Sequence, residues 1–158
     1  MPPFDVPLEE NLRTIFANKA EDVTDRLLEV IPNLNHDQLV HLSLYLAFEA
    51  KLNQKSLWKA IEEASLATLH LFSTTQIAQL EWASTQLKPK QTSARLNTLL
   101  IKTALDKIST ATPTELMHTM QGFRNKENKG LYQAVRKTLV ERRSNLKLDG
   151  NQLINMFY

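Results

Sequence analysis

Leu34-Asn35-His36-Asp37-Gln38-Leu39 is the stretch that decides how this chain folds. A short amide side chain, a glutamine three residues on and aliphatic residues at both ends are the parts of a capping box with a hydrophobic staple. The cap side chain accepts from an N–H that a helix start leaves unpaired. The Gln or Glu accepts from the cap's own N–H, and the apolar pair sets the angle of entry. The pattern returns as Phe72-Ser73-Thr74-Thr75-Gln76-Ile77, as Ala111-Thr112-Pro113-Thr114-Glu115-Leu116 and as Leu148-Asp149-Gly150-Asn151-Gln152-Leu153. The starts lie 38, 39 and 37 residues apart. Four helix starts at nearly constant spacing predict a repeat, and a chain with only 3 glycines and long Leu-, Ala-, Lys- and Glu-rich stretches predicts helix throughout.

Outward from the boxes, each repeat reads as helix–turn–helix: 34–71, 72–110 and 111–147, then a terminal half-repeat at 148–158. Before them, 1–33 reads as a divergent hairpin. Leu8, Leu12, Ile15 and Phe16 predict a helix near 8–18, and Val23, Leu27, Val30 and Ile31 a second that Pro32 ends. Leu39, Val40, Leu42, Leu44, Leu46 and Phe48 leave little polar circumference, so the helix after Asn35 should be sandwiched. The second helices share an i, i+4, i+7 edge: Leu57, Ile61, Ala64; Leu96, Leu100, Thr103; Leu131, Val135, Thr138. Their distance from the preceding cap varies, which predicts hairpin links of unequal length. Trp58 and Trp82 read as core. A lone hairpin cannot bury its apolar faces, so the expected fold is all-α: one domain, a short α-solenoid of about three to four stacked hairpins of roughly 38 residues. An irregular helical bundle is the alternative.

Composition narrows the chemistry. At 158 residues the chain fits one domain, and without cysteine it has no disulfide, zinc-thiolate site or cysteine nucleophile. No apolar run approaches a membrane span. Met1–Glu10 does not read as an Arg-rich transit peptide, so the expectation is either no such peptide or a processed chain. The net charge of +2 hides a division: residues 1–87 hold 6 basic and 12 acidic side chains, residues 88–147 hold 13 and 4. Two solvated faces of opposite sign, or a second half that meets an anionic surface, both account for it.

The hairpin length, the polar cap followed by Gln or Glu and an aliphatic, and a first helix such as Gln79-Leu80-Glu81-Trp82-Ala83 resemble the octotricopeptide and heptatricopeptide repeats, the latter found in the FAS-activated serine/threonine kinase-like family. The resemblance covers about residues 34–158. It implies a mitochondrial or plastid protein that binds RNA or serves as a scaffold subunit of a large mitochondrial assembly. The chain departs from the RNA-processing members in having few repeats and no RAP-like domain.

Candidate sites follow from register. The sixth position after each cap gives a polar ladder, His41, Gln79, His118 and Asn155. It reads either as side chains facing bases, as in helical repeats that read RNA, or as a solvent-facing column beside an apolar stripe; the second is favoured. Lys126, Lys129, Arg136, Lys137, Arg142, Arg143 and Lys147 form the anion-binding set, for RNA phosphates or an acidic protein partner. Tyr132 could stack a base or pack at a hairpin start. Leu153, Ile154, Met156, Phe157 and Tyr158 form an apolar edge suited to docking or to folding back. His36, His41, His70 and His118 lack metal-ligand spacing, the adjacent pairs Glu9-Glu10 and Glu62-Glu63 point apart on a helix, and no phosphate loop or nucleophile elbow occurs. The expectation is therefore no catalytic residue, no metal and no cofactor. Partners would be other subunits of an assembly, with RNA as the alternative.

Overall fold

The computed structural model describes residues 4–124 and 128–143. Among these every regular element is helical: α1 (Glu10–Arg13), α2 (Ala20–Val30), α3 (His36–Phe48), α4 (Lys55–Ala67), α5 (Thr74–Gln86), α6 (Ala94–Lys107), α7 (Pro113–Gly122) and α8 (Lys129–Arg143), with short 3-10 turns between some of them. The first predicted helix is shorter than its spacing suggests. After Arg13 the chain tightens into a 3-10 turn, Thr14–Ala17, and Asn18 closes it by donating its side-chain N–H to the Ile15 carbonyl at 3.0 Å.

Three of the four predicted helix starts fall in the described residues, and all three form. Gln38 N–H donates to Asn35 Oδ1 at 2.9 Å while Asn35 N–H donates to Gln38 Oε1 at 3.0 Å. Ser73 and Gln76 exchange the same pair at 3.1 and 3.0 Å, and Thr112 and Glu115 at 3.1 and 2.9 Å. The box at Asp149 lies outside the described residues. A feature absent from the sequence reading recurs with the boxes. Each is entered from a 3-10 turn, Ile31–Asn33, Leu69–Leu71 or Ile108–Thr110. The residue ahead of each cap donates its N–H back into that turn: Leu34 to Ile31, Phe72 to Leu69 and Ala111 to Ile108, at 3.1, 3.1 and 3.2 Å. The repeat is thus a repeated joint between one helix and the next.

The chain divides into two compact units. The first is Met1–Phe72 with Ala83–Leu96. Its core is built from Leu8, Leu12, Val23, Leu27, Ile31, the helix α3 and the inner edge of α4. Helix α3 buries Leu39, Val40, Leu42, Leu44 and Leu46, as its apolar circumference requires, and its far end exposes Phe48. Helix α4 packs on α3, on α2 and on the 31–33 turn. Beyond α3 the chain reverses through Lys51, whose φ of 50° is the left-handed conformation that helix ends favour.

The second unit is Ser73–Trp82 with Asn97–Tyr158. Here α8 packs on α7 and on the 108–110 turn, the same relation that α4 has to its own turn. Helix α7 crosses α5 so closely that a Cβ on Gly122 would lie 2.2 Å from the Ala78 carbonyl oxygen. Only glycine permits that approach.

Two expectations are corrected. The buried edge of the second helices is i, i+4, i+8: Leu57, Ile61, Ser65; Leu96, Leu100, Ala104; Leu131, Val135, Leu139. Ala64, Thr103 and Thr138 sit half-buried at the margin: at about 100° per residue i, i+4 and i+8 fan out over about 80° centred on i+4, and i+7 falls on the far side of i, about 60° from that centre. The links inside the hairpins are also nearly equal, at 49–54, 87–93 and 123–128. What varies is the first helix: α7 has 10 residues where α3 and α5 have 13. Trp58 is buried, its Nε1–H donating to the Leu52 carbonyl at 3.0 Å, whereas Trp82 is only half-buried.

Removal of one cap side chain should cost about 1 kcal/mol. Asn35→Ala, Ser73→Ala and Thr112→Ala are expected to lower the urea midpoint by similar amounts, with Asn35→Asp close to wild type. Equilibrium unfolding followed by circular dichroism measures it.

Candidate functional site

The side chains with chemical capacity are mostly held by other parts of the fold. His118, on α7, is half-buried, and its Nδ1 lies 2.8 Å from Thr75 Oγ1 in the first turn of α5. Burial lowers its pKa below the usual 6.5; the nearby Glu115 carboxylate opposes that shift without cancelling it. Gln79 is 7 % exposed and His41 half-buried, so the described ladder positions are embedded in their helices' packing rather than standing out as a solvent-facing column. The reason is that α3 and α5 are covered on more than one side. Asn155 lies outside the described residues.

Arg142 separates from the other cations. Its guanidinium donates to the Ala111 carbonyl, to Ile108 at 3.2 Å and to Ser109 at 2.7 Å. It therefore adds a charged donor to the carbonyls gathered at the joint between α6 and α7. Lys129, Arg136 and Lys137 are exposed on α8. Arg143 ends that helix, and Lys126 and Lys147 lie outside the described residues, as do Leu153, Ile154, Met156, Phe157 and Tyr158. Tyr132 is half-buried and donates its hydroxyl to the Met120 carbonyl at 3.4 Å, which ties α8 to α7. Burial pushes its phenol up, against the opposing pull of Arg124.

Four arrangements had no sequence signal of their own. Glu81 is 1 % exposed and accepts from Asn97 Nδ2 at 2.5 Å. A lone acid between Leu80 and Trp82 marks the buried register of α5 only once that helix is known to be enclosed. Glu62 accepts from both the N–H and the hydroxyl of Ser93, at 2.6 and 2.8 Å, and so places a carboxylate at the start of α6. Glu9 accepts from Gln38 Nε2 at 3.0 Å, which ties the residue before α1 to the first capping box. Finally, Phe16, Val23, Tyr45 and Leu52 line an open cleft of about 350 Å³ in the first unit. The Phe16 and Tyr45 rings there are 4.7 Å apart and tilted by 50°. Its apolar wall suits a partner's aliphatic or aromatic side chain.

Among the described residues no three His, Asp or Glu side chains gather to hold a metal ion, and no helix is long and apolar enough to cross a membrane. No family model, no curated protein and no solved structure matches the chain.

The His118 shift has a signed consequence. Below pH 6.5 the unfolded chain takes up a proton that the folded histidine resists. Stability is therefore full above the ordinary histidine value and declines as pH falls through it, towards the lowered folded value. Denaturant midpoints across pH 5 to 8 should show this slope, and His118→Gln should flatten it. Loss of Arg142 is expected to destabilise by about 1–3 kcal/mol, since three acceptors lose a charged donor. Lys137→Ala on the same helix should lie within about 0.5 kcal/mol of wild type, and thermal unfolding of the two variants compares them.

Proposed function

We propose that the chain is a noncatalytic α-solenoid scaffold, an interaction subunit of a larger multi-subunit assembly such as a respiratory complex, ATP synthase or ribosome. The observation that carries this reading is the repeated joint. A 3-10 turn feeds a capping box three times over, and in each unit a second helix, α4 or α8, rests on the turn before its own hairpin. A recurring joint favours a repeat architecture, and stacked hairpins present extended faces for protein partners. The engagement of His118, Glu81, Glu62 and Arg142 in helix and joint contacts also favours a structural over a catalytic role. Placement in the mitochondrion rests on the repeat resemblance alone.

A second reading, RNA binding in organellar RNA metabolism, draws on the exposed Lys129, Arg136 and Lys137 of α8. Contacts through such cations are to phosphates and weaken as salt rises.

Native isolation of the tagged chain, with identification of co-purifying protein and RNA, separates the two. The scaffold reading expects stoichiometric protein subunits that survive nuclease and the substitution Arg136→Ala/Lys137→Ala. Recovery of RNA alone, with affinity falling steeply with salt, would replace it with the second reading. A chain that recovers neither removes both.

A further inference from the structure

Two helices carry opposite charge on their outward faces. On α2 the buried positions are Val23 and Leu27, and on the other side Glu21, Asp22, Asp25 and Glu29 are all exposed. At 100° per residue these four carboxylates fall within an arc of about 100°. Arg26 is at the margin of that arc. On α8 the buried positions are Leu131, Val135 and Leu139, and the exposed side holds Arg136, Lys129, Gln133 and Lys137. These span an arc of similar width, with Glu141 at its margin. Val140 stands in the middle of the cationic arc and is 71 % exposed.

The helix dipole does not account for either face. First-turn acids such as Glu21 and Asp22 favour the helix dipole, but Asp25 and Glu29 lie beyond the first turn. Basic residues stabilise the last turn of a helix, but Lys129 opens α8 and Arg136 and Lys137 lie at its middle. Val140 lies about one turn beyond Arg136 and Lys137 and about 16 Å along the axis from Lys129, an exposed aliphatic beside charge, and contact patches combine apolar with polar surface.

We propose that the acidic face of α2 and the basic face of α8 are complementary docking surfaces, and that the occupant of each is the other face on a second copy of this chain. The two faces match in charge: four carboxylates in one helical arc, and three cations in an arc of the same width with Val140 towards its C-terminal end. The two faces differ, so the pairing is heterologous. It closes when a second α2–α8 contact forms in the same pair of molecules and otherwise extends to further copies. The contacts are solvent-exposed ion pairs, so the association is weak and salt-sensitive, and its specificity comes from charge matching. The inference is independent of the scaffold reading. A chain that pairs with itself but recovers no other subunit would keep this proposal and lose that one.

Sedimentation velocity of the full chain tests it. At about 0.05 M salt the wild-type mass should rise above the monomer with concentration, and at about 0.5 M salt the association should weaken by roughly tenfold or more. Two charge-reversed variants, Arg136→Glu/Lys137→Glu and Asp25→Lys/Glu29→Lys, should each sediment as monomers with wild-type circular dichroism. An equimolar mixture of the two should associate again, because the acidic α2 of one meets the basic α8 of the other. A wild-type chain that stays monomeric at low salt overturns the proposal. So does a variant that associates like wild type, or a mixture that fails to associate. Binding of a single-stranded RNA oligomer to α8 by a chain that remains monomeric would assign that face to RNA instead.

Discussion

Wherever one helix ends and another begins within a few residues, carbonyls with no intrahelical donor and N–H groups with no acceptor are crowded into one place. Water can satisfy them only on the outside. This chain resolves the problem the same way at 31–38, 69–76 and 108–115. The ending helix tightens into a 3-10 turn, the next residue donates back into it, and the capping box closes the new helix start from both sides. The staple residue is half-buried at Leu34 and buried at Phe72 and Ala111, and Leu39, Ile77 and Leu116 just inside the helices are buried as well. A joint built in this way fixes direction as well as satisfying polar groups, and the packing of α4 and α8 on their turns follows from it.

The boxes were legible because they are local: cap, variable pair, Gln or Glu, aliphatic, all within six residues. The turns that feed them were not. Ile-Pro-Asn, Leu-His-Leu and Ile-Ser-Thr share no residue pattern beyond an apolar first position, and backbone geometry alone reveals their equivalence. The same limit governs the site residues. Exposure of Lys129, Arg136 and Lys137 follows from the periodicity of Leu131, Val135 and Leu139, so sequence places them correctly on one face. The engagement of Arg142 depends on carbonyls more than thirty positions earlier, and no helical spacing announces that. The polar ladder failed to read as a surface for a related reason. Register places His41, Gln79 and His118 at equivalent positions, but how many neighbours cover a helix is a tertiary property.

Helix α5 illustrates what such cover requires. It buries Gln79, Glu81 and Ser84 among Ile77, Ala78, Leu80 and Ala83, an unusual share of polar groups for an enclosed helix. Buried polar groups are costly unless hydrogen-bonded. Glu81 takes a donor from Asn97 on α6, and the short side chain of Ala78 faces Gly122 on α7. The polar contact fixes register where apolar packing alone would allow helices to slide, and the glycine lets α7 approach to backbone contact. The two devices act on the same helix from different partners. Together they specify the arrangement around α5 more tightly than its aliphatic residues could, since Leu and Ile side chains tolerate exchange of volume and shape.

The cations of the second half divide along the same line between internal and external use. A guanidinium is planar, with donors spread around its edge, and it suits a cluster of carbonyls that point to one spot. Arg142 meets such a cluster at the joint before α7, and its charge belongs to the fold. Lys129, Arg136 and Lys137 are exposed on the same helix instead. The excess of basic over acidic residues after position 88 is therefore not one patch. Arg142 holds the last described hairpin to the turn that precedes it, Lys88, Lys90, Arg95 and Lys102 are exposed before that hairpin, and Lys129, Arg136 and Lys137 lie exposed in one arc of α8 that also holds Val140. An apolar side chain in the middle of that arc loses nothing if the face only attracts small ions. It gains from burial only against a surface large enough to cover it. That is the physical reason to look for a macromolecular partner on this helix rather than for a counterion cloud.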